Sequence, residues 1–488
     1  GHECVKYLKG MFAFALWDNK KKELFIGRDR FGMKPLYFYR DEDRFIFSST
    51  TKSIKNNSKI KTSINENSLH KYFLYGYIPS PTTIWKKIFI LPEAHYAVIK
   101  KGEMSIKNYW KVKISNKKIS KDKILAEIDE KINLSIEQHI RSDVPVGLFY
   151  SGGMDSFLIK EKFKKFSQKK IIKFIAKFKN KKNKSKFKKN ITNKIVFERL
   201  SDYVDSLDQP IADSAGISSF LLSEAAKKKK IKVILSGAGA DEIFGGYRRY
   251  YYDMKSHFQF DFLLKKTLSL LLKIINKKSL IITNILYKIL VKRLNYITSI
   301  SGNNFSTTLR IFKNKDLFLR KCHNVTTKIS KNLFRKNSLK KNLIFDQKNY
   351  LKDNILYLSD TTTMKNSVEM RLPFLDHEIC EKVFSIDENL IFSKTFLNYK
   401  LILRKLISKF FPKYIFKKKE GFNGPVYNWI NNKKFKEKLG CLKSKTLKKY
   451  ISSDEINKII NQKKICLSDC QLLFSILIID FWLIKNEK

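Results

Sequence analysis

The residues best suited to chemistry are Ser151-Gly152-Gly153-Met154-Asp155-Ser156, which directly follow the apolar run Val146-Gly147-Leu148-Phe149-Tyr150. A short strand that breaks into Ser-Gly-Gly and reopens as a helix aims several backbone N–H groups at one point. Two adjacent glycines let the chain hug an anion, because no Cβ intervenes and positive φ is accessible. The helix start adds its unpaired donors and partial positive charge. Ser151 and Ser156 supply hydroxyl donors, and Asp155 is a ready magnesium ligand. No Gly-Lys-Ser/Thr follows, so the loop suits pyrophosphate rather than a Walker-type β/γ-phosphate cradle.

A second turn repeats the design. The apolar run Ile231–Leu235 ends in Ser236-Gly237-Ala238-Gly239-Ala240-Asp241-Glu242-Ile243-Phe244-Gly245-Gly246-Tyr247, which delivers two adjacent carboxylates. In a parallel sheet, ligands gather beyond the carboxyl ends of the strands, so the two turns could face one nucleotide. The elements that must position them are strands at Val146–Tyr150, Ile171–Phe178 and Ile231–Leu235, alternating with helices such as Ser218–Ala226. That alternation predicts an α/β fold with a doubly wound parallel sheet. A helix is expected over Ile124–Ile140, with Ile124, Leu125, Ile128, Ile132 and Leu134 as its apolar stripe. From about Asp253 onward the strand signals fade and the chain reads as mostly helical.

Taken together, these strings resemble the glutamine-hydrolysing asparagine synthetases, members of the ATP-pyrophosphatase superfamily. Further matches follow in the family's order: Asp208-Gln209-Pro210 with Asp213, then Val368-Glu369-Met370-Arg371-Leu372-Pro373-Phe374-Leu375-Asp376, then Lys419-Glu420-Gly421-Phe422 with Pro425 and Trp429. The beginning fits as well. Gly10–Asp18 and Leu24–Tyr37, with Leu91-Pro92-Glu93-Ala94-His95 and Tyr109-Trp110, look like the later part of a glutaminase domain, an α/β/β/α sandwich of the N-terminal-nucleophile type. The resemblance therefore implies residues 1–110 as part of a glutaminase-type domain and 111–488 as the synthetase domain. Cys4 matches an internal position of that pattern rather than the family's amino-terminal nucleophile, so the chain as given is not expected to hydrolyse glutamine.

What the resemblance implies for chemistry is activation of a carboxylate by ATP and magnesium, followed by amide formation from ammonia. L-Aspartate is the default substrate, with nitrogen from ammonia or, in a longer protein, glutamine. Carried over residue by residue, Ser151, Gly152, Gly153, Asp155 and Ser156 would hold pyrophosphate, and Asp155 and Asp241 magnesium. Leu148 or Phe149 and Lys177-Phe178 would contact adenosine, Gly237 would approach the ribose, and Ser236 would belong to the ATP- and pyrophosphate-binding set. Lys419 would neutralise the leaving phosphates, and Asp360 would stand near the substrate amine. Glu369 and Arg371 read as a structural ion pair. Relatives are often homodimers, an assembly the sequence leaves open.

Four departures stand out. The family's Ser-Gly-Glu carries a glutamate that handles protons and orders ammonia; here that position is Ala238. The tract from Phe178 to Asp202 is shorter and more basic, Phe157 replaces a serine, and Thr50 stands where a glutamate is usual. Ala238 leaves three readings open: a slow synthetase, a relative amidating another carboxylate (such as a uronic acid in surface-polysaccharide assembly), or a silent ATP- or polyanion-binding protein.

Composition bounds the rest. At 488 residues and 43% hydrophobic, the chain is long enough for two or three domains with ample core. The formal charge of +54 is spread along the chain as lysine, not gathered in one arm. Lysine lacks arginine's bidentate fork, so solvated faces are the expected reading and no specific nucleic-acid partner is. The dense cluster from Lys177 to Lys194 is the exception. Six scattered cysteines without Cys-x-x-Cys fit reduced thiols and a cytoplasmic setting. The most apolar stretch, Leu472 to Ile484, is shorter than the ~20 residues of a membrane span, so no membrane association is expected.

Overall fold

A computed structural model describes residues 1–116, 120–178, 188–247, 249–250, 308, 311–313, 338–392, 399–416 and 422–487. Two antiparallel sheets build the first part. One has the order β1-β2-β6-β7, from Ala13–Asp18, Glu23–Arg28, His95–Lys100 and Glu103–Asn108. The other has the order β4-β3-β5, from Phe45–Ser48, Tyr37–Arg40 and Ile88–Ile90. Ile26 and Ala97 of the first sheet join Leu36 and Leu91 in one buried cluster, with Phe45 packed against it. The sheets therefore stack face to face, as the sandwich expectation required. Cys4 lies in a 3-10 turn, His2–Lys6.

The second part is organised by a parallel sheet of order β10-β9-β8-β11-β12. Its strands are β8 (Val146–Phe149), β9 (Ile172–Lys177), β10 (Lys188–Asn190), β11 (Val233–Leu235) and β12 (Glu369–Arg371). The chain starts in the middle at β8, winds outward through β9 and β10, then returns to lay β11 on the other side of β8. The direction of winding reverses between β8 and β11, which makes their carboxyl ends the switch point where such folds bind ligands. Helices α1 (Thr51–Lys55) and α2 (Glu66–Tyr75) belong to the first part, and α3 (Lys121–Ile140), α4 (Met154–Phe166), α5 (Asn193–Ser206), α6 (Ala215–Lys228) and α7 (Ala240–Phe244) surround the parallel sheet.

Three sequence expectations are corrected. The sheet gains β12, three residues paired in register with Val233–Leu235, which local pattern could not tie to β11 across more than a hundred residues. Leu134 is 45% exposed and does not belong to the stripe of α3; Ile136, fully buried, completes it. Position 136 lies one turn beyond Ile132, whereas 134 falls on the opposite face. The C-terminal helix runs from Leu467 to Asn486, longer than its apolar stretch, and by length and composition it could cross a membrane. Its apolar side chains, Leu472, Leu473, Ile476, Ile479 and Trp482 among them, are buried inside the protein instead.

One core runs through both parts. Tyr37, Leu69, Tyr72 and Trp85 share a buried cluster with Leu207, Leu221, Leu477 and Trp482. Asp208 fastens the seam: its carboxylate accepts from the backbone N–H groups of Thr51 at 2.7 Å and Lys52 at 3.0 Å.

Candidate active site

The turn after β8 forms as its sequence requires. Gly152 takes φ +80°, a conformation that favours glycine. Helix α4 begins at Met154, and no side chain caps it at Gly153. Its first N–H groups are therefore left for a ligand, the arrangement that binds anions. The Ser151 and Ser156 hydroxyls lie 3.2 Å apart, and Ser156 donates to the Gly153 carbonyl at 3.1 Å. Across the switch point, Gly237 packs directly on Asp155, where an added Cβ would come within 2.8 Å of the Asp155 Cβ. The two turns are thus in contact.

They share a cavity of about 520 Å³. Of the residues expected to form the site, Ser151, Asp155, Ser156, Ser236, Gly237, Ala238 and Asp241 line it. Others do not. Leu148 is fully buried within its strand, while its neighbour Phe149 reaches the wall. Phe178 packs toward Trp429, with ring centroids 6.2 Å apart. Asp360 turns to a second, water-sized cavity between the two parts of the chain, where it accepts from Lys34 Nζ at 2.8 Å. Phe157 fills a hydrophobic role beneath the loop, its ring 4.2 Å from that of Tyr414. Glu369 and Arg371 form the expected ion pair at 2.6 Å. Lys419 and most of the Lys177–Lys194 cluster lie outside the described residues.

The feature that sequence reading missed is Lys400. Its Nζ donates to both carboxylate oxygens of Asp155 at 2.7 Å and lies 2.9 Å from Asp241 Oδ1. Its side chain is 1% exposed. Burial works against the charge, but the two carboxylates overcome it and hold the ammonium well above the usual lysine range. Asp155 and Asp241 therefore converge on one cation, and carboxylate oxygens are the donors magnesium prefers. The residues present fit a magnesium ion shared with, or exchanged for, the Lys400 ammonium. Nothing local marks Lys400 in sequence, since it is one of 99 lysines and arginines.

Glu242 is the second unanticipated group. It is fully buried, lines the same cavity, and accepts from the Tyr247 hydroxyl through Oε1. Burial and the adjacent Asp241 push its carboxyl up to about 7. Asp213 also lines the cavity, with Oδ1 accepting from the Ala215 N–H at 2.9 Å and Oδ2 from Asn354 Nδ2 at 2.7 Å. Phe149 and Phe422, both on the wall, stack with ring centroids 6.3 Å apart and planes 22° from parallel.

Fold and cavity define a class: doubly wound α/β proteins that bring a glycine-rich turn with an uncapped helix start and a carboxylate pair together at the switch point. Comparison with known proteins gives that class a family. The asparagine synthase family model matches residues 127–483, and a glutamine amidotransferase domain model matches residues 1–110. The chain belongs to the asparagine synthase family. It is 29% identical over 458 residues to asparagine synthetase [glutamine-hydrolyzing] 1 of Bacillus subtilis, covering 88% of this chain and 70% of that protein. It is 35% identical over 265 residues to a putative asparagine synthetase of Methanocaldococcus jannaschii, covering 51% of each. A putative asparagine synthetase of Mycobacterium bovis is 27% identical over 466 residues, 88% of this chain and 69% of the relative. At the level of the family, the chain is a ligase of the ATP-dependent, amide-forming kind.

Proposed function

We propose that this chain joins a carboxylate to nitrogen through an acyl-adenylate, in a cytoplasmic setting, with L-aspartate as substrate and L-asparagine as product. A carboxylate oxygen attacks the α-phosphorus of ATP, the bond to the β-phosphate oxygen breaks, and pyrophosphate leaves. Ammonia then attacks the carbonyl carbon, AMP departs, and one proton is lost. The observation that carries this reading is the contact between the two glycine-rich turns at the switch point, with Asp155 and Asp241 converging on one cation.

In this reading Ser151, Ser156 and the first N–H groups of α4 hold the pyrophosphate, with Gly152 and Gly153 giving the backbone its close approach. Fixed donors aimed at developing negative charge are among the largest contributions to catalysis. Asp155 and Asp241 hold magnesium, which when bound neutralises phosphate charge. Of the Leu148 or Phe149 alternative, Phe149 takes the adenine contact, with Phe422 in place of Phe178. Lys419 remains the proposed partner of the leaving phosphates, and Lys400 balances the carboxylate pair.

Amidation of a different carboxylate is the second reading, favoured by Ala238 on the cavity wall. ATP–pyrophosphate exchange, measured with magnesium and a panel of carboxylates including aspartate, tests both. Exchange with aspartate supports the first reading, and exchange with another acid only supports the second. No exchange with any acid refutes carboxylate activation.

A further inference from the structure

We infer that Glu242, through Oε2, positions the nitrogen donor in the cavity, a role left without a carboxylate at Ala238. The inference rests on the amide-forming reading above and begins from an inventory of acceptors. Four carboxylates line the cavity: Asp155, Asp213, Asp241 and Glu242. Both oxygens of Asp155 accept from Lys400, Asp241 Oδ1 lies 2.9 Å from that same ammonium, and both oxygens of Asp213 accept from Ala215 and Asn354. Asp241 has a further interaction besides. Glu242 Oε2 alone among these oxygens is buried without a hydrogen-bond partner.

A buried acceptor left without a partner is costly, so folded chains keep few such atoms. This one is held firmly. The Tyr247 hydroxyl occupies Oε1, and Gln347 Nε2 donates to the Glu242 backbone carbonyl at 3.0 Å. Side-chain rotation to find another partner would break the Tyr247 bond. The rigid, unfilled oxygen therefore awaits a ligand that donates.

The reaction limits what that ligand is. Phosphates and the reacting carboxylate present acceptor oxygens, which a carboxylate repels. The donor groups in the reaction belong to ammonia, to any amino group on the acid substrate, and to the adenine amino group and ribose hydroxyls of ATP, whose adenine the reading above places against Phe149 and Phe422. Oε2 can accept one N–H of ammonia and leave its lone pair free to attack the acyl carbon. No bond to Glu242 forms or breaks; it is a positioning residue.

The test compares the parent, Glu242→Gln and the Ala238→Glu/Glu242→Gln double variant in mildly alkaline buffer. Glutamine keeps the size and an acceptor for Tyr247 but presents N–H₂ at one terminal atom. Amide formation is titrated with ammonium and separately with the acid, and ATP–pyrophosphate exchange is read beside it. Glu242→Gln is expected to raise KM for ammonium at least tenfold, well beyond any fall in exchange, and the double variant to restore it in part. An unchanged KM for ammonium overturns the inference. A rise confined to KM for the acid also overturns it, by assigning the N–H to the substrate's own amino group. Should the parent show no exchange, the amide-forming reading fails, and thallium(I), an ammonium-sized probe, is soaked into crystals. An anomalous peak at Glu242 in the parent but not in Glu242→Gln still supports an ammonium-accepting site, and no peak there refutes it.

Discussion

Replacing Lys400 by methionine removes an ammonium that bridges Asp155 and Asp241 while keeping most of its volume. At 2.7–2.9 Å, each charge contact has a gross attraction of about 6 kcal/mol at an effective dielectric near 20, most of it offset by desolvation. Breaking a buried pair on one side typically costs about 3–5 kcal/mol, because the orphaned charge remains. Asp155 and Asp241 are 21% and 19% exposed, so water recovers part of this and a loss of about 2–3 kcal/mol is expected. Magnesium should replace the missing cation. The assay is urea denaturation followed by tryptophan fluorescence, with EDTA or with millimolar magnesium, for parent and variant. The parent should respond weakly to magnesium, because its ammonium already sits between the carboxylates. The variant should lose stability in EDTA and regain at least half in magnesium, with about tenfold tighter magnesium binding by calorimetry. A loss below about 0.5 kcal/mol, or one indifferent to magnesium, would refute the reasoning that this pair is a cation cradle.

Three further outcomes follow from the same geometry. Gly246→Ala would place a Cβ 1.7 Å from Asp241 Oδ1 and 2.4 Å from Lys400 Cε; Mg-ATP affinity by calorimetry should fall at least tenfold while circular dichroism stays unchanged. Asp208→Ala strands the buried N–H of Thr51 and the half-buried N–H of Lys52 and should cost about 2–4 kcal/mol in urea denaturation. Glu378 joins Lys9 at 2.5 Å to Lys131 at 3.1 Å, and hydrogen bonds from both lower its carboxyl from 4.5 to about 2. A depressed carboxylate stabilises above its unfolded pKa and loses that contribution as pH falls, so thermal scans should show parent and Glu378→Gln converging between pH 4.5 and 2.

The site was legible where chemistry is written in contiguous residues. Ser151, Asp155, Ser156, Gly237 and Asp241 occupy two short strings, and the turn after a buried strand is dictated by glycine and by an uncapped helix start. Phe149 could be named only as an alternative to Leu148, because which of two strand neighbours faces a ligand depends on the registry of the sheet. Lys400 was not legible at all. Its role arises from a left-handed residue, φ +54°, that precedes a helix far along the chain and turns a common side chain inward. Asp360 shows the converse, a residue matched by motif that the fold joins to Lys34 outside the main cavity. The parallel sheet was anticipated from alternating strands and helices, but β12 was not, since three residues carry no periodicity.

The unbroken core across the two parts has a consequence for how this protein can change over time. Tyr72, whose hydroxyl donates to the Ser475 carbonyl at 2.8 Å, and Trp85, whose ring meets that of Trp482, are walls of the neighbouring part as much as of their own. Excising the leading residues would bare an aromatic surface that the remainder needs covered. Drift at positions such as Leu69 or Trp85 would therefore be felt as loss of the distant cavity, even if the leading part did no chemistry. Ancestry alone need not explain why it is kept; the remainder shares its buried core with it.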